Sequence, residues 1–272
     1  MRASTIKAFC GCLSLAALFF AGVPVMAEEE FHCEILSVEG KVLVTDPDGA
    51  ERDVHEGDLL SAGDVLEAKE ASSADIAFDR DWKNITHVEE RSKMKIGTIS
   101  PAQVILKEGG VFAKLKQLPK DSSFEVKTPT AVATVRGTEY RTTFIEGQTQ
   151  IYNVSPNSSK VFVYPVKDDG SANRDRPVIL EQSSKTQVAK IGELPKEPQA
   201  MTPDEKIFTE TVTKKIEVKI QTAVTSGRVS KIQSVAELQK GPATETNKAP
   251  SAETELSRVV DARRRPFKKT GE

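Results

Sequence analysis

The sequence predicts an all-β domain followed by a C-terminal helical and disordered extension. Between Phe31 and Ile191, apolar residues come in short alternating runs such as "KVLVT", "DIAF", "SFEVKT", "YRTTFI", "TQIYNV" and "KVFVYPV", each too short for a helix. Turn residues bound these runs, as in "DPDG", "EGD", "AGD", "EGG" and "KDDGS". No long segment of 3.6-residue period interrupts them, and after Gly192 the composition changes.

The first element is a leader. Arg2 and Lys7 precede an uncharged stretch from Ala8 to Ala27, whose apolar core "LSLAALFFAGV" runs into Pro24 and the small-residue ending "VMA". A basic start, an apolar centre and a V-x-A cleavage site predict a signal peptide over 1–27, a mature chain from Glu28 and a periplasmic or extracellular location. An N-terminal membrane anchor is the alternative, since about 20 uncharged residues span a bilayer. Cys10 and Cys12 precede the apolar core, where a lipoprotein would need its cysteine after it. Cleavage leaves Cys33 alone, so no intramolecular disulfide is expected, and Cys33 reads as a small apolar filler beside Phe31 and Ile35. With one cysteine and three histidines (His32, His55, His87), no metal site is expected, and no cofactor motif is present. The formal charge of −2 loses Arg2 and Lys7 with the leader, giving −4, which favours solubility and little more.

The second element is the β domain, 31–191. Gly57-Asp58 and Gly63-Asp64 in "VHEGDLLSAGDVL" are turn signatures, with each aspartate expected to accept hydrogen bonds from turn N–H groups. "VATVRGTEYRTTF" places Arg136, Gly137 and Thr138 in the middle of a β-rich run. Gly137 suits a bulge or corner where strands change direction. Arg136 is then expected to reach a carboxylate or carbonyls, and the Thr138 hydroxyl to bond back to the backbone.

Residues 192–201 form a proline-rich linker. A helical segment is expected over 202–240, with Thr202 as N-cap, Pro203 at the first helical position and Glu205 completing a capping box. Phe208, Val212, Ile216, Ile220 and Val224 recur at intervals of four along one slowly rotating face, for packing on the β domain or on a second chain. "KIEVKI" also alternates like a strand, and threonine and valine are poor helix formers. Residues 241–272 read as a disordered basic tail. Its Arg263, Arg264, Arg265, Lys268 and Lys269 could hold anionic lipid, nucleic acid or a cell-wall polyanion, or remain solvated.

Catalytic chemistry finds no nomination. P-loop, G-x-G-x-x-G, G-x-S-x-G, H-E-x-x-H and paired-cysteine motifs are absent from the sequence. His55 precedes a Gly-Asp turn, and His87 in "NITHVEE" reads as a surface histidine on a loop or strand edge. Among the carboxylate neighbours, Asp79 with Asp81 and Glu89 with Glu90, the adjacent Glu89 and Glu90 would point to opposite faces of a strand. The chain reads as non-enzymatic.

The order of motifs resembles the FecR domain family. It comprises "GKVLV" at 40–44, the two Gly-Asp pairs, the serine strand "SSADIAF", "SKMKI", "LKEGGVFAKL", and then Thr128-Pro129 leading to Arg136-Gly137-Thr138. The likeness extends over residues 34 to 190. It departs at "DRDW" around Trp82 in place of an Asp-Gly turn, at "SPNSS" before residue 161, and at "QSSKTQV" near 183 in place of a Gly-Gln turn. The resemblance implies a non-catalytic periplasmic domain whose short strands wind in a solenoid-like or jelly-roll-like manner. Family members with a cytoplasmic helical domain and a membrane span regulate sigma factors in iron-siderophore signalling. With no such part before the leader, direct sigma-factor binding is not expected. The expectation is an exported binding or scaffold module for an envelope protein or glycan. The alternatives are a regulator acting with a separate membrane partner in sigma-factor signalling, and an envelope hydrolase.

Overall fold

The computed structural model describes residues 32–116, 118–120 and 122–232. The expected signal peptide over 1–27 and the tail residues Arg263, Arg264, Arg265, Lys268 and Lys269 lie outside them. Nine strands come first: β1 (His32–Glu39), β2 (Val42–Thr45), β3 (Glu51–Asp53), β4 (Leu59–Ser61), β5 (Val65–Ala68), β6 (Ser73–Ala77), β7 (Asn84–Val88), β8 (Ser92–Ile99) and β9 (Ala102–Leu115). Then follow β10 (Phe124–Lys127), β11 (Ala131–Val135), β12 (Glu139–Ile145), β13 (Gln148–Asn153), β14 (Val161–Pro165), β15 (Val178–Leu180), β16 (Ser184–Val188), β17 (Gln199–Ala200) and α1 (Pro203–Thr225).

The strands form two sheets. In the first the order is β4-β1-β6-β7-β9-β12-β13-β16-β17. In the second it is β3-β2-β5-β8-β9-β10-β11-β14-β15. All these pairings are antiparallel except β9 with β10. From β10 onward the chain lays two strands in the second sheet, two in the first, two in the second and two in the first, each pair beyond the last. That regular advance is the solenoid-like winding of an all-β fold. Side chains alternate across each strand, so one face of each sheet supplies the shared core, with Ile35, Ile76, Phe124, Tyr140, Leu66 and Leu106 buried in it.

Strand β9 belongs to both sheets. Its first half pairs with β8 and β10, and from Gly109 it pairs with β7 and β12. The "EGG" signal expected as a turn is therefore a kink inside a strand. Gly109 has φ +83, and a Cβ there would collide with the carbonyl of Arg91 and the backbone of Ser92. The Ser92 hydroxyl holds the kink by accepting from Gly110 N (2.8 Å).

Two departures from the family pattern keep the backbone conformation that glycine would have adopted. Trp82 has φ +52 and Ser183 φ +55, both in the left-handed region. At "SPNSS" side chains close the bend: Asn153 Oδ1 accepts from Ser155 N (3.1 Å), and Asn157 Oδ1 from Ser159 N (3.1 Å).

The proline-rich segment does more than link, since β17 extends the first sheet by pairing with β16. Helix α1 begins as its capping signals dictate: Thr202 Oγ1 accepts from Glu205 N (3.3 Å), and Glu205 Oε2 from Thr202 N (2.8 Å). "KIEVKI" lies within it as helix. It ends at Thr225, short of residue 240; residues 226–232 leave it and run along β1, and those from 233 lie outside the description. Val212 and Ile216 are buried against the outer face of the first sheet, while Phe208 and Val224 are largely exposed. A spacing of four overshoots a 3.6-residue turn by about 40° per step, so the expected stripe rotates off the sheet at both ends. Thr209 and Ala223 replace them in the contact.

Candidate functional site

The signature residues sit where the chain crosses between the sheets. Residues 55–58 lead from β3 in the second sheet to β4 in the first, and 61–64 lead from β4 back to β5. Both turns are built alike. Asp58 Oδ2 accepts from His55 N (3.0 Å) and Asp64 Oδ2 from Ser61 N (2.9 Å). The preceding glycines, at φ +80 and +102, donate to strand carbonyls, Gly57 to Ile35 (2.7 Å) and Gly63 to Ile96 (2.8 Å). The N–H groups of those two isoleucines return the bond to the carbonyls of Asp58 and Asp64, each at 2.9 Å.

Gly137, with φ +134, carries the crossing from β11 to β12. Two expectations about its neighbours are corrected. Arg136 is exposed with no hydrogen bond or ion pair to the described residues, because the crossing turns it outward from both sheets. The Thr138 hydroxyl is buried without a partner, since Thr138 follows the corner inward and only its carbonyl is engaged, by Leu115 N at 3.1 Å. Thr128 closes the β10–β11 hairpin: its hydroxyl accepts from Ala131 N (2.9 Å) and meets Thr149 Oγ1 (2.6 Å), with Pro129 exposed at the tip. These residues hold backbone together and converge on no common cleft.

A different set of residues does converge, on the outer face of the first sheet beneath α1. Asp75 on β6 is fully buried. Its Oδ1 faces His87 Nδ1 (2.7 Å), and its Oδ2 accepts from Ser37 Oγ (2.5 Å) and Lys219 Nζ (2.6 Å). Burial alone raises this carboxyl, but the His87 ring and the Lys219 ammonium outweigh it and hold it down to about 2. His87 is thus a buried strand residue rather than a surface one, because β7 is central in the sheet and α1 covers it.

Glu34 on β1 is also fully buried. Arg228 Nη2 reaches its Oε1 (3.2 Å), and Ser230 Oγ (2.5 Å) and Lys231 N (3.0 Å) donate to its Oε2. The same guanidinium donates to the carbonyls of Leu36 (2.5 Å) and Ile35 (2.8 Å) and lies over the Trp82 ring, 5.6 Å from its centroid. Further along, Lys114 bridges Glu139 (2.6 Å) and Glu217 of α1 (3.0 Å). Arg141 holds Glu89 through two bonds (2.6 and 2.7 Å) and lies under the Phe208 ring, while Lys185 pairs with Glu205 (2.6 Å). A cavity of about 200 Å³ opens at the end of α1 beside Leu36, Ser37, Glu56, Lys219 and Arg228.

This arrangement neutralises charge and orders a helix. Ser37 and His87 engage different oxygens of one carboxylate, so the ring is not placed to take the hydroxyl proton. The carboxylates weighed for hydrolysis point to separate tasks. Asp79 accepts from Lys83 N (2.8 Å), Asp81 pairs with Lys83 Nζ (2.9 Å), Glu89 belongs to Arg141, and Glu90 accepts from Ala71 N (2.8 Å). Among the described residues no group of three or more His, Cys, Asp and Glu is arranged to hold a metal, and no helix is long and apolar enough to cross a membrane.

The family model described as FecR protein matches residues 64–158, from the second Gly-Asp turn through Thr128-Pro129 and Arg136-Gly137-Thr138 to the loop after β13. Residues 64–158 are a FecR domain. The same winding continues on both sides of it, through the strands before residue 64 and those after 158. Two crystal structures of a candidate anti-sigma factor from Parabacteroides distasonis ATCC 8503, at 1.65 and 2.50 Å resolution, share 13% identity with this chain, with TM-scores of 0.42 and 0.40. The likeness covers 54% and 50% of this chain and 64% and 59% of those structures, so it spans less than two thirds of their length. No curated protein matches the chain.

Sequence reasoning missed Glu34, Asp75, His87, Lys114, Lys219 and Arg228 as a set. A signal was present in Lys215 and Lys219 flanking Ile216 on one helical face. Their partners lie over 100 residues away, and no local pattern pairs them.

Proposed function

We propose that this chain is an exported, non-catalytic FecR-type module of the cell envelope that acts in signalling by binding a protein partner. The observation that carries the reading is the FecR domain at 64–158. The leader, with Arg2 and Lys7 before its apolar core, supports a periplasmic place of action. Non-catalytic work is supported by the pairing of Asp75, His87, Glu34 and Glu89 within the structure, where each is engaged in holding strands and helix together. A partner carried by a separate membrane protein would connect such a module to transcription.

Crosslinking in intact cells, with identification of what is captured, tests the binding. Deleting the gene and profiling sigma-dependent transcripts under iron limitation and envelope stress tests the signalling. A specific captured protein and an altered profile are expected. An unchanged profile under both conditions would sink the signalling role.

A further inference from the structure

Helix α1 has little helical preference of its own. From Thr209 to its end, "TETVTKKIEVKIQTAVT" is rich in threonine, valine and isoleucine, and its last turn carries no basic residue to answer the helix dipole. A helix of this composition keeps its shape by docking. The surface it docks on is unlike a core. Glu34 and Asp75 are fully buried there and Lys114 nearly so, and each is met from the C-terminal segment, by Arg228, Lys219 and Glu217 respectively. The apolar contact is a small cluster, Val212, Ile216 and Ala223 against Leu36, Ala77, Ile85 and Phe112. Several ties at its rim, such as Lys215 to Glu39, are half exposed and contribute little. With the C-terminal segment away, Glu34 loses Arg228 and Asp75 loses Lys219, while His87 stays on Asp75 and Glu139 on Lys114, so the face is better satisfied covered than bare. With α1 removed, Glu34, Glu39, Asp75 and Glu139 would stand against Lys114, with His87 beside Asp75, which favours a cationic replacement.

We propose that the outer face of the first sheet, from β1 to β9, is a binding site for a cationic amphipathic helix of a partner protein, and that α1 with residues 226–232 occupies it in cis as a releasable strap. The partner's chemistry is legible in the strap: an apolar pair one turn apart for the cluster of Leu36, Ile85 and Phe112, an ammonium for Asp75, and a guanidinium over Trp82 for Glu34. The proposal rests on the binding-module reading of the chain and names the site and the class of partner.

The test uses the full chain and a fluorescent synthetic peptide of residues 202–231. The intact chain should exclude the peptide. A chain carrying Lys215→Ala, Lys219→Ala and Arg228→Ala, with the sheet untouched, should bind it at least about tenfold more tightly, and less so in high salt. Equal uptake by the two chains, at any affinity, overturns the proposal. Should the triple variant fail to fold, hydrogen exchange on the wild-type chain decides. The amides of α1 must exchange through an opening separate from that of β7 and β9, and exchange in a single step with those strands overturns it. Neither measurement involves export or transcription, so failure here leaves the signalling reading standing, and an unaltered transcript profile leaves this site standing.

Discussion

Asp58 and Asp64 close the same turn twice, once against each sheet. Each carboxylate accepts the N–H three residues back, each preceding glycine donates to a strand carbonyl, and each aspartate carbonyl takes the N–H of that same strand residue, Ile35 in the first sheet and Ile96 in the second. The crossings between the two sheets are stitched by one device used once on each side. Asp64 is buried, whereas the Asp58 carboxylate is partly exposed and pairs with an exposed Arg52. Asp64→Ala should therefore cost about 1–2 kcal/mol in urea unfolding, and Asp58→Ala less, since water can replace the lost acceptor there.

Two glycines separate backbone strain from collision. Gly137 has φ +134 with open space around it, so Gly137→Ala should cost about 1–3 kcal/mol through strain alone. Gly109→Ala adds a clash with the backbone of Arg91 and Ser92 to its strain at φ +83 and should cost more. Thermal unfolding of the two variants side by side checks the order.

Acid should loosen the strap. A carboxylate held below its ordinary value contributes stability above that value and loses it as pH falls through the folded pKa. For Asp75 the window runs from 3.8 to about 2, and the contribution is about 2 kcal/mol, drawn first from His87 within the sheet and then from Lys219 of α1, so only the Lys219 share bears on the strap. Glu39 is lowered as well, chiefly by its hydrogen bond from Lys215, so its contribution declines over the same acid side. A pH titration by circular dichroism should show helix lost in this window, and Asp75→Asn should flatten the dependence. A helix signal unchanged down to pH about 2 would contradict it.

Trp82 is the sole tryptophan, buried beneath Arg228 and 3.5 Å from Glu34 through its ring nitrogen. Arg228→Ala should weaken docking of residues 226–232 by about 2–3 kcal/mol, because the buried Glu34 carboxylate loses its cation. Tryptophan emission should shift to the red while the strand signal stays unchanged.

Cys33 should be silent in the folded chain. Burial pushes its thiol far up, Asp64 adds to that, and the side chain is inaccessible. Alkylation should proceed only on unfolding, at a rate that reports the population of open chain.

How much was legible in the sequence follows from the range of the forces involved. "VHEGDLLSAGDVL" marks two turns because glycine permits positive φ and aspartate bonds to its own backbone, both effects within four residues. The start of α1 was equally readable, since Thr202, Pro203 and Glu205 act on one helical turn. The "EGG" kink misleads for the same reason: locally it is a turn signal, and only the neighbouring β8 and β12 make it a passage from sheet to sheet.

The chain by itself determined the alternation that makes strands, the turns that end them and the cap that opens the helix, because those preferences are written in neighbouring residues. The tertiary structure alone decided that Arg136 turns outward, that His87 is buried, and that Lys219 and Arg228 meet Asp75 and Glu34. An ion pair beneath a helix joins residues nearly 150 or more positions apart, and it acquires its strength from burial, which exists only once the sheet and the helix have closed over it.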